Sequence, residues 1–287
     1  MNRLGILFMR FLALWPLGAV RGLGWLLGWF LYAAVWPRRH VVNVNLALCF
    51  PHWSGEQRGR VVPRLFVGIA QSWLDRGWLW HARPHVVRER LKFVGELHEL
   101  EGQEPAVVFA PHFVGMDAGW TALTLYAPRP ATGIYTRQSN KVLDEWILEG
   151  RSRFSAGRPF GRADGVRELV ASLRRGELLY LLPDMNFGPE ESIFVPFYGV
   201  PAATVPSLSR FARLGRAKVV PLVTRLTPQG YEVRVLPAWK DFPSSDAVRD
   251  TALMNERLQG YIDEMPEQYY WVHKRFKTRP EGEPGVY

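Results

Sequence analysis

The sequence contains very little cysteine: among its 287 residues there is a single one, Cys49. One thiol cannot form a disulfide within the chain, and it cannot supply an all-cysteine zinc site. The lack of disulfides is compatible with a reducing cytosolic setting. Hydrophobic residues make up 47 % of the chain, which is enough for a folded protein with a sizeable core.

Several motifs that identify common enzyme classes are also missing from the sequence. There is no G-x-S-x-G, so a serine hydrolase would lack its nucleophile. There is no H-E-x-x-H and no second pair of metal ligands, so we predict no metal site. No Walker A motif is present, and no G-x-G-x-x-G follows a predicted strand. The absence of these two nucleotide-binding motifs argues against nucleotide-dependent chemistry.

Acidic residues are in short supply, with 27 Asp and Glu against 36 Lys and Arg, and the net charge is +9. This balance points to an anionic partner, which can be a nucleic acid, an anionic membrane face or a phosphorylated substrate. Charge alone does not choose among these three. Aromatic residues, in contrast, are abundant, with 12 Trp and 16 Phe. Aromatic side chains favour interfaces and membrane boundaries.

Residues 4–36 form a largely apolar segment that ends before Arg38 and Arg39. A simple membrane-spanning helix needs about 20 uninterrupted apolar residues, and here Pro16 and Arg21 interrupt the stretch. The segment can span the membrane, lie along it or form a buried hydrophobic hairpin. We predict membrane attachment. If the segment spans, the two arginines would hold the following domain on the cytoplasmic side.

The apolar segment also contains two small-residue pairs with G-x-x-x-G spacing, a pattern that lets another helix approach closely. They are Gly18 with Gly22 and Gly24 with Gly28. No internal repeat, low-complexity tract or clear linker interrupts residues 41–287. We therefore predict a hydrophobic membrane anchor over residues 1–40, followed by one catalytic domain over residues 41–287.

Short β-branched and apolar runs alternate with helical patterns from residue 100 onwards. The predicted strands are 106–110, 178–182, 219–224 and 231–236. Alternation of strands and helices is typical of an α/β domain. The predicted fold is therefore α/β, with a mostly parallel central sheet flanked by helices, behind the helical amino-terminal segment.

The most informative stretch is 105–120, where a predicted strand runs into His112 and a helix follows that contains Asp117. Five helical residues rotate by roughly 140°, so one continuous helix would not align the two side chains. They can meet if His112 lies on the turn and Asp117 lies in the first helical turn. The carboxylate would then fix the imidazole tautomer and leave the other ring nitrogen as a base. A base without a protein nucleophile suggests that the substrate supplies the nucleophile.

These residues resemble the glycerolipid acyltransferase superfamily. The resemblance begins with His112-x-x-x-x-Asp117 after a strand and continues, in order, with 157–162 (GRPFGR), 183–188 (PDMNFG), 194–197 (FVPF) and 220–222 (VPL). The ending 267–282 (EQYYWVHKRFKTRPEG) resembles the carboxyl terminus of the bacterial lipid A late acyltransferases, the lauroyl and myristoyl transferases. With the hydrophobic amino terminus, the resemblance covers nearly the whole chain.

The resemblance implies an acyltransferase that acts at the cytoplasmic face of the bacterial inner membrane. The donor would be an acyl carrier protein thioester, and the acceptor would be a hydroxyl of an acyl chain on a Kdo-bearing lipid A precursor. His112 would act as general base and Asp117 would orient it, without an acyl-enzyme. No metal or tightly bound cofactor is required, and inner-membrane lipid would be a further partner.

The resemblance also implies substrate-binding residues after the first motif. The candidates are Arg137, Arg151, Arg153, Arg162, Asp184 and Gly188. The planar guanidinium fork of arginine suits phosphate, and the acceptor carries phosphates as well as Kdo carboxylates. Each arginine can equally belong to a solvated basic face. Asp184, which follows a predicted strand, can serve either a structural turn or substrate positioning.

Three other interpretations remain open at the level of sequence. The same enzyme class can act on a glycerophospholipid or another glycolipid acceptor. The chain can be a basic, membrane-bound nucleic-acid-binding protein, although it lacks the motifs of that class and we predict no nucleic-acid partner. It can also be an inactive scaffold, in which replacing His112 would have no effect.

Overall fold

The computed structural model describes residues 2–154, 158–161 and 165–287. The strands are β1 Leu91–Gly95, β2 Ala106–Phe109, β3 Ala131–Tyr135, β4 Arg158–Gly161, β5 Leu178–Leu181, β6 Ile193–Phe197, β7 Val200–Thr204, β8 Lys218–Thr227 and β9 Gly230–Val235. The helices are α1 Arg3–Leu12, α2 Leu17–Ala34, α3 Trp36–Cys49, α4 Gly55–His81, α5 Pro84–Arg90, α6 Met116–Tyr126, α7 Lys141–Arg151, α8 Val166–Arg174, α9 Ser207–Gly215 and α10 Ala247–Asp263.

Seven strands form one sheet in the order β1-β9-β8-β2-β5-β3-β4. The pairs β1–β9, β8–β2, β2–β5, β5–β3 and β3–β4 are parallel, and β8–β9 is antiparallel. Strands β6 and β7 form a separate antiparallel hairpin. The predicted α/β fold with a mostly parallel sheet is confirmed, and the four predicted strands correspond to β2, β5, β8 and β9.

Strands β2 and β5 lie side by side in the middle of the sheet, and all four residues of each are buried. Val107 and Phe109 belong to the core on one face of the sheet, with residues of α8, α9 and α10. Ala106 and Val108 belong to the core on the other face, with residues of α4 and α6. Because helices cover both faces, these strands are continuous apolar runs rather than alternating ones.

Helix α2 packs along α4 at a pair of glycines. A Cβ atom on Gly28 would lie 2.4 Å from the Cα atom of Val67, and one on Gly24 would lie 2.9 Å from the Cα atom of Gln71. The close helix approach predicted from this G-x-x-x-G pair is confirmed. Nothing lies within 4 Å of a Cβ on Gly18 or Gly22, so the other pair has no such role within the described residues.

Arg21, which interrupts the apolar segment, binds a buried carboxylate of α4. Its Nη2 atom lies 3.0 Å from Asp75 Oδ2 and donates a hydrogen bond to the Gly230 carbonyl at 3.2 Å. Asp75 also accepts hydrogen bonds from the Tyr231 hydroxyl at 2.6 Å and from Trp78 Nε1 at 2.8 Å. The charge on α2 is therefore paired inside the protein, and it ties α2 to α4 and to the first residue of β9.

Of the helices in the described ranges, α2 is the one long and apolar enough to cross a membrane. Large apolar side chains of the first 30 residues remain 43–80 % exposed; they are Leu4, Leu7, Phe8, Phe11, Leu14, Trp25, Leu26, Trp29 and Phe30. An exposed apolar set of this size typically marks an interaction site. The predicted domain boundary after residue 40 falls inside α3 and stays a prediction.

We expect Gly28→Ala to lower the free energy of unfolding by about 1–3 kcal/mol, because the added methyl group overpacks the contact with Val67. Gly22→Ala is the matched control on the same helix. It has open space at its Cβ and should raise the free energy of unfolding by about 0.5–1 kcal/mol through helix propensity. Denaturant unfolding followed by tryptophan fluorescence measures both, and equal effects would contradict the α2–α4 contact.

Candidate active site

The parallel pairing of β2 with β5 brings a histidine and an aspartate together. Phe109 and Leu181 are partners in register at the carboxyl ends of these strands. After each strand the chain continues for three residues, the second of which is a proline. The third residue is His112 after β2 and Asp184 after β5. His112 Nδ1 lies 2.7 Å from Asp184 Oδ1, and the His112 main-chain N–H donates to Asp184 Oδ2 at 3.0 Å. One carboxylate therefore fixes both the ring and the main chain of His112.

The prediction that Asp117 orients His112 is wrong, because the Nδ1 atom of His112 is hydrogen-bonded to Asp184 and not to Asp117. Asp117 is the second residue of α6, and its two oxygens bind two arginines instead. Arg76 of α4 contacts Oδ2 through Nε and Nη2, both at 2.7 Å. Arg151 of α7 contacts Oδ1 through Nε at 2.9 Å and through Nη2 at 2.8 Å. The two carboxylates thus belong to two separate clusters.

The arginines determine the charge state of Asp117. Burial alone would raise its pKa, but the guanidinium groups of Arg151 and Arg76 outweigh that effect and lower the pKa to about 2. Arg76 also lies over the ring of Trp73, with its guanidinium carbon 4.1 Å from the ring centroid. Asp117 is therefore a permanent carboxylate at neutral pH, and its cluster carries one net positive charge.

Asp184 is likewise ionised. Burial raises its pKa. The positive charge that His112 carries when protonated and the hydrogen bonds that His112 donates lower it by more, so the pKa lies below its ordinary value. An ionised carboxylate only accepts hydrogen bonds, so the neutral ring of His112 carries its proton on Nδ1. Its Nε2 atom is then an unprotonated acceptor, as a general base requires.

The carboxyl-terminal segment holds the loop that carries His112. The Tyr270 N–H donates to the His112 carbonyl at 2.9 Å, and the Val114 N–H donates to the Gln268 carbonyl at 2.9 Å. Gln268 is fixed in turn, because its side chain accepts from the Leu226 N–H at 2.7 Å and donates to the Leu226 carbonyl at 3.1 Å. The carboxyl-terminal segment, residues 267–282, is thus hydrogen-bonded to the loop that carries His112.

The same segment holds the loop that carries Asp184. The Asn186 N–H donates to His273 Nε2 at 3.0 Å, and the Asn186 side chain donates to the Arg275 carbonyl at 3.3 Å. Burial, followed by the charges of His112 and Arg275, lowers the pKa of His273 to about 4. The ring therefore stays neutral near pH 7 and keeps the acceptor that Asn186 needs. His273 and Arg76 were not predicted from the sequence.

A cavity of about 520 Å³ opens beside His112. Its polar residues include His112, Asp117 and Arg151, and its apolar walls include Trp120, Leu169 and Phe211. The side chain of His112 is 18 % exposed, so Nε2 can reach a molecule in the cavity while Nδ1 is covered by Asp184. An apolar pocket with a few convergent polar groups is typical of a small-molecule site.

The other predicted site residues have different surroundings. Arg137 is exposed beside two residues that line the cavity, Thr136 and Gln138. Arg153 does not line the cavity: its guanidinium donates to the carbonyls of Leu79, at 2.9 Å, and Ala82 at the end of α4.

Two further predictions concern the loops beside the cavity. Gly188 has a φ of 101° and donates its N–H to the Asn186 side chain at 3.0 Å, so it shapes the loop after Asp184. Arg162 and the beginning of the motif at 157–162 lie outside the described residues. Among the residues that are described, no cluster of three His, Cys, Asp or Glu side chains could hold a metal ion.

Comparison with known proteins identifies relatives along nearly the whole chain. A family model described as bacterial lipid A biosynthesis acyltransferase matches residues 1–278. A lipid A biosynthesis acyltransferase of Haemophilus influenzae is 32 % identical over 98 % of this chain and 88 % of its own length. A lipid A biosynthesis lauroyltransferase and a palmitoleoyltransferase of Escherichia coli are 32 % and 30 % identical, each over 87 % of this chain and 82 % of its own length.

We expect Asp117→Asn to lower the free energy of unfolding by about 3–5 kcal/mol at pH 7, since it leaves Arg76 and Arg151 without their counter-charge. The folded-state pKa of Asp117 is depressed, so its contribution is complete above the ordinary value of 3.8 and is lost as the pH falls towards 2. The difference between wild type and variant in urea unfolding should therefore shrink as the pH falls from 7 to 2.

The control for this experiment is Glu256→Gln, which removes an exposed carboxylate of α10 and should leave stability unchanged. A difference between wild type and Asp117→Asn that stays constant with pH would contradict the charge assignment.

Proposed function

Because this chain belongs to the bacterial lipid A biosynthesis acyltransferase family, and is therefore an acyltransferase, we propose its donor, acceptor and mechanism. The donor is a fatty acyl thioester of acyl carrier protein. The acceptor is a hydroxyl of an acyl chain on a Kdo-bearing lipid A precursor. One observation carries the mechanism: His112 is paired through Nδ1 with a buried carboxylate, and its ring reaches an apolar cavity.

His112 acts as the general base of the transfer. Its Nε2 atom takes the proton of the acceptor hydroxyl while that oxygen attacks the thioester carbonyl carbon. The tetrahedral intermediate then collapses, the carbon–sulfur bond breaks, and the imidazolium returns the proton to the leaving thiolate. The new bond is an oxygen ester, and no acyl-enzyme forms. Asp184 keeps the ring in the productive tautomer and stabilises its transient positive charge, as the acidic member of a triad does.

Asp117 acts through the arginines. It lines the cavity together with Arg151 and holds that guanidinium by two contacts of 2.8 and 2.9 Å. Arg151 thus presents a positive charge to the cavity that His112 also lines, where it can bind a phosphate of the acceptor or the developing oxyanion. Asp117 is a positioning residue in this mechanism, whereas His112 contacts the reacting atoms.

The walls of the cavity fit the fatty acyl chain of the donor. Trp120, Ile134, Leu169 and Phe211 line it with apolar surface, and its volume of about 520 Å³ is within the usual range for a small-molecule site. The exposed apolar side chains of the first 30 residues attach the protein to the cytoplasmic face of the inner membrane. The acceptor, itself a membrane lipid, then reaches His112 from the bilayer.

The direct test is acyl transfer from a panel of acyl carrier protein thioesters to the Kdo-bearing precursor, with products identified by mass spectrometry. We expect His112→Ala and Asp184→Asn each to lower kcat by about 10²- to 10⁴-fold, because they remove the base and its orienting carboxylate. His85→Ala, which removes an exposed histidine of α5, is the matched control and should retain full activity.

Two outcomes would contradict this proposal. If wild type transfers no acyl group to the precursor but acylates a glycerophospholipid, the acceptor is wrong. If His112→Ala is as active as His85→Ala, the mechanism is wrong.

A further inference from the structure

A second groove, separate from the active-site cavity, lies between α2 and α4. We call it the α2–α4 groove. It has a volume of about 480 Å³, and the described residues that line it are all different from those that line the cavity. Trp25 and Trp29 of α2 form one side, Arg60 and Arg64 of α4 form the other, and Gln268 of the carboxyl-terminal segment completes it.

The tryptophan side of the groove suits the interfacial region of a bilayer. Trp25 is 51 % exposed and Trp29 is 43 % exposed, and their rings contact each other edge to face at 6.2 Å between centroids. Leu26 and Phe30 of the same helix are also exposed. Tryptophan combines an apolar ring with a polar N–H group and concentrates at the level of lipid headgroups. This side of the groove is therefore expected to contact lipid acyl chains.

The arginine side of the groove carries one positive charge, that of Arg64, which the described residues do not neutralise. Arg64 is exposed and has no acidic partner within the described residues. Arg60 pairs with Glu56 at 3.3 Å, but both side chains are largely exposed, so this pair contributes little and can be exchanged for a better anion. Glu267 is the acidic residue among those that line the groove, so the lining carries one net positive charge.

We infer that the α2–α4 groove binds an anionic phospholipid of the bilayer, with its phosphate on Arg64 and Arg60 and an acyl chain along Trp25 and Trp29. Guanidinium groups bind phosphate through paired hydrogen bonds, and the tryptophan rings supply the apolar contact that a free phosphate ion lacks. The charge and the apolar surface therefore select a phospholipid over either a neutral lipid or an inorganic anion.

The groove is connected to the loop that carries His112. Gln268, which lines the groove, accepts the Val114 N–H at 2.9 Å through its carbonyl. Gly68, another lining residue, lies against Val114: a Cβ on that glycine would be 3.6 Å from the Val114 side chain. His112 lies two residues before Val114. A lipid in the groove therefore stabilises the contacts of Gln268 and Gly68 with the loop that carries His112. Anionic lipid should increase activity as well as binding.

The first test is flotation of the full-length protein with vesicles of phosphatidylcholine alone or mixed with phosphatidylglycerol, at constant ionic strength. We expect Arg64→Gln to weaken binding to the anionic vesicles by about fivefold, the usual contribution of one cation at a membrane surface. Arg249→Gln removes the same charge from an exposed position on α10 and is the matched control. It should weaken binding by about twofold or less, since Arg249 does not line the groove.

A second variant tests the groove without a change of charge. Gly59 lines the groove and is exposed, with nothing within 4 Å of its Cβ position. Gly59→Leu should fill the groove and weaken binding to anionic vesicles while the fold is retained. Inorganic phosphate added as a competitor should not release the wild-type protein from the vesicles. If phosphate does release it, the site binds free phosphate and the inference fails.

The third measurement is acyl transfer in neutral detergent with and without phosphatidylglycerol. We expect the anionic lipid to stimulate wild type and Arg249→Gln but not Arg64→Gln. Equal behaviour of Arg64→Gln and Arg249→Gln in the vesicle experiment would overturn the inference, since diffuse charge would then explain all binding. The vesicle experiment does not depend on catalysis, so a failure of the proposed acyl transfer would be recognised separately.

Discussion

The contact between Asp184 and His112 depends on the register of two parallel strands. Strands β2 and β5 pair so that Phe109 faces Leu181, and three further residues after each strand lead to His112 and to Asp184. A shift of one residue in this pairing would separate the carboxylate from the imidazole. The carboxyl-terminal segment secures both loops, through Tyr270 on one side and His273 on the other. His112 is therefore held by elements that are distant in sequence.

Helix α4 connects the amino-terminal helices to the site through two adjacent residues. Asp75 binds Arg21 of α2, and Arg76 binds Asp117 beside the cavity. Because one helix makes both contacts, a displacement of α2 would also displace the backbone of α4 that positions Arg76 against Asp117. This arrangement gives a physical reason for an acyltransferase of lipid A biosynthesis to carry its apolar helix α2 packed against α4. The α2–α4 groove lies on the same helix pair.

The fold was predictable because its central strands are continuous apolar runs, and His112 was found because it directly follows one of them. Asp184 was predicted as a turn or substrate-positioning residue rather than as the partner of His112, because it lies 72 residues further along the chain. A repeated pattern did offer a signal: both buried strands continue through a proline to the paired residue, in Pro111-His112 and in Pro183-Asp184. Arg76 gives no comparable signal, since it lies 41 residues before the carboxylate that it binds.

Proton NMR of the His112 ring, after histidine-selective isotopic labelling, tests the central claim most directly. An imidazole Nδ1 proton bonded to a buried carboxylate gives a resonance far downfield of ordinary ring protons, and His112→Ala identifies it by its loss. We expect this resonance to be present in wild type and to be lost or shifted strongly upfield in folded Asp184→Asn. An unchanged resonance in Asp184→Asn would show that another group orients His112, and it would contradict the assignment of Asp184.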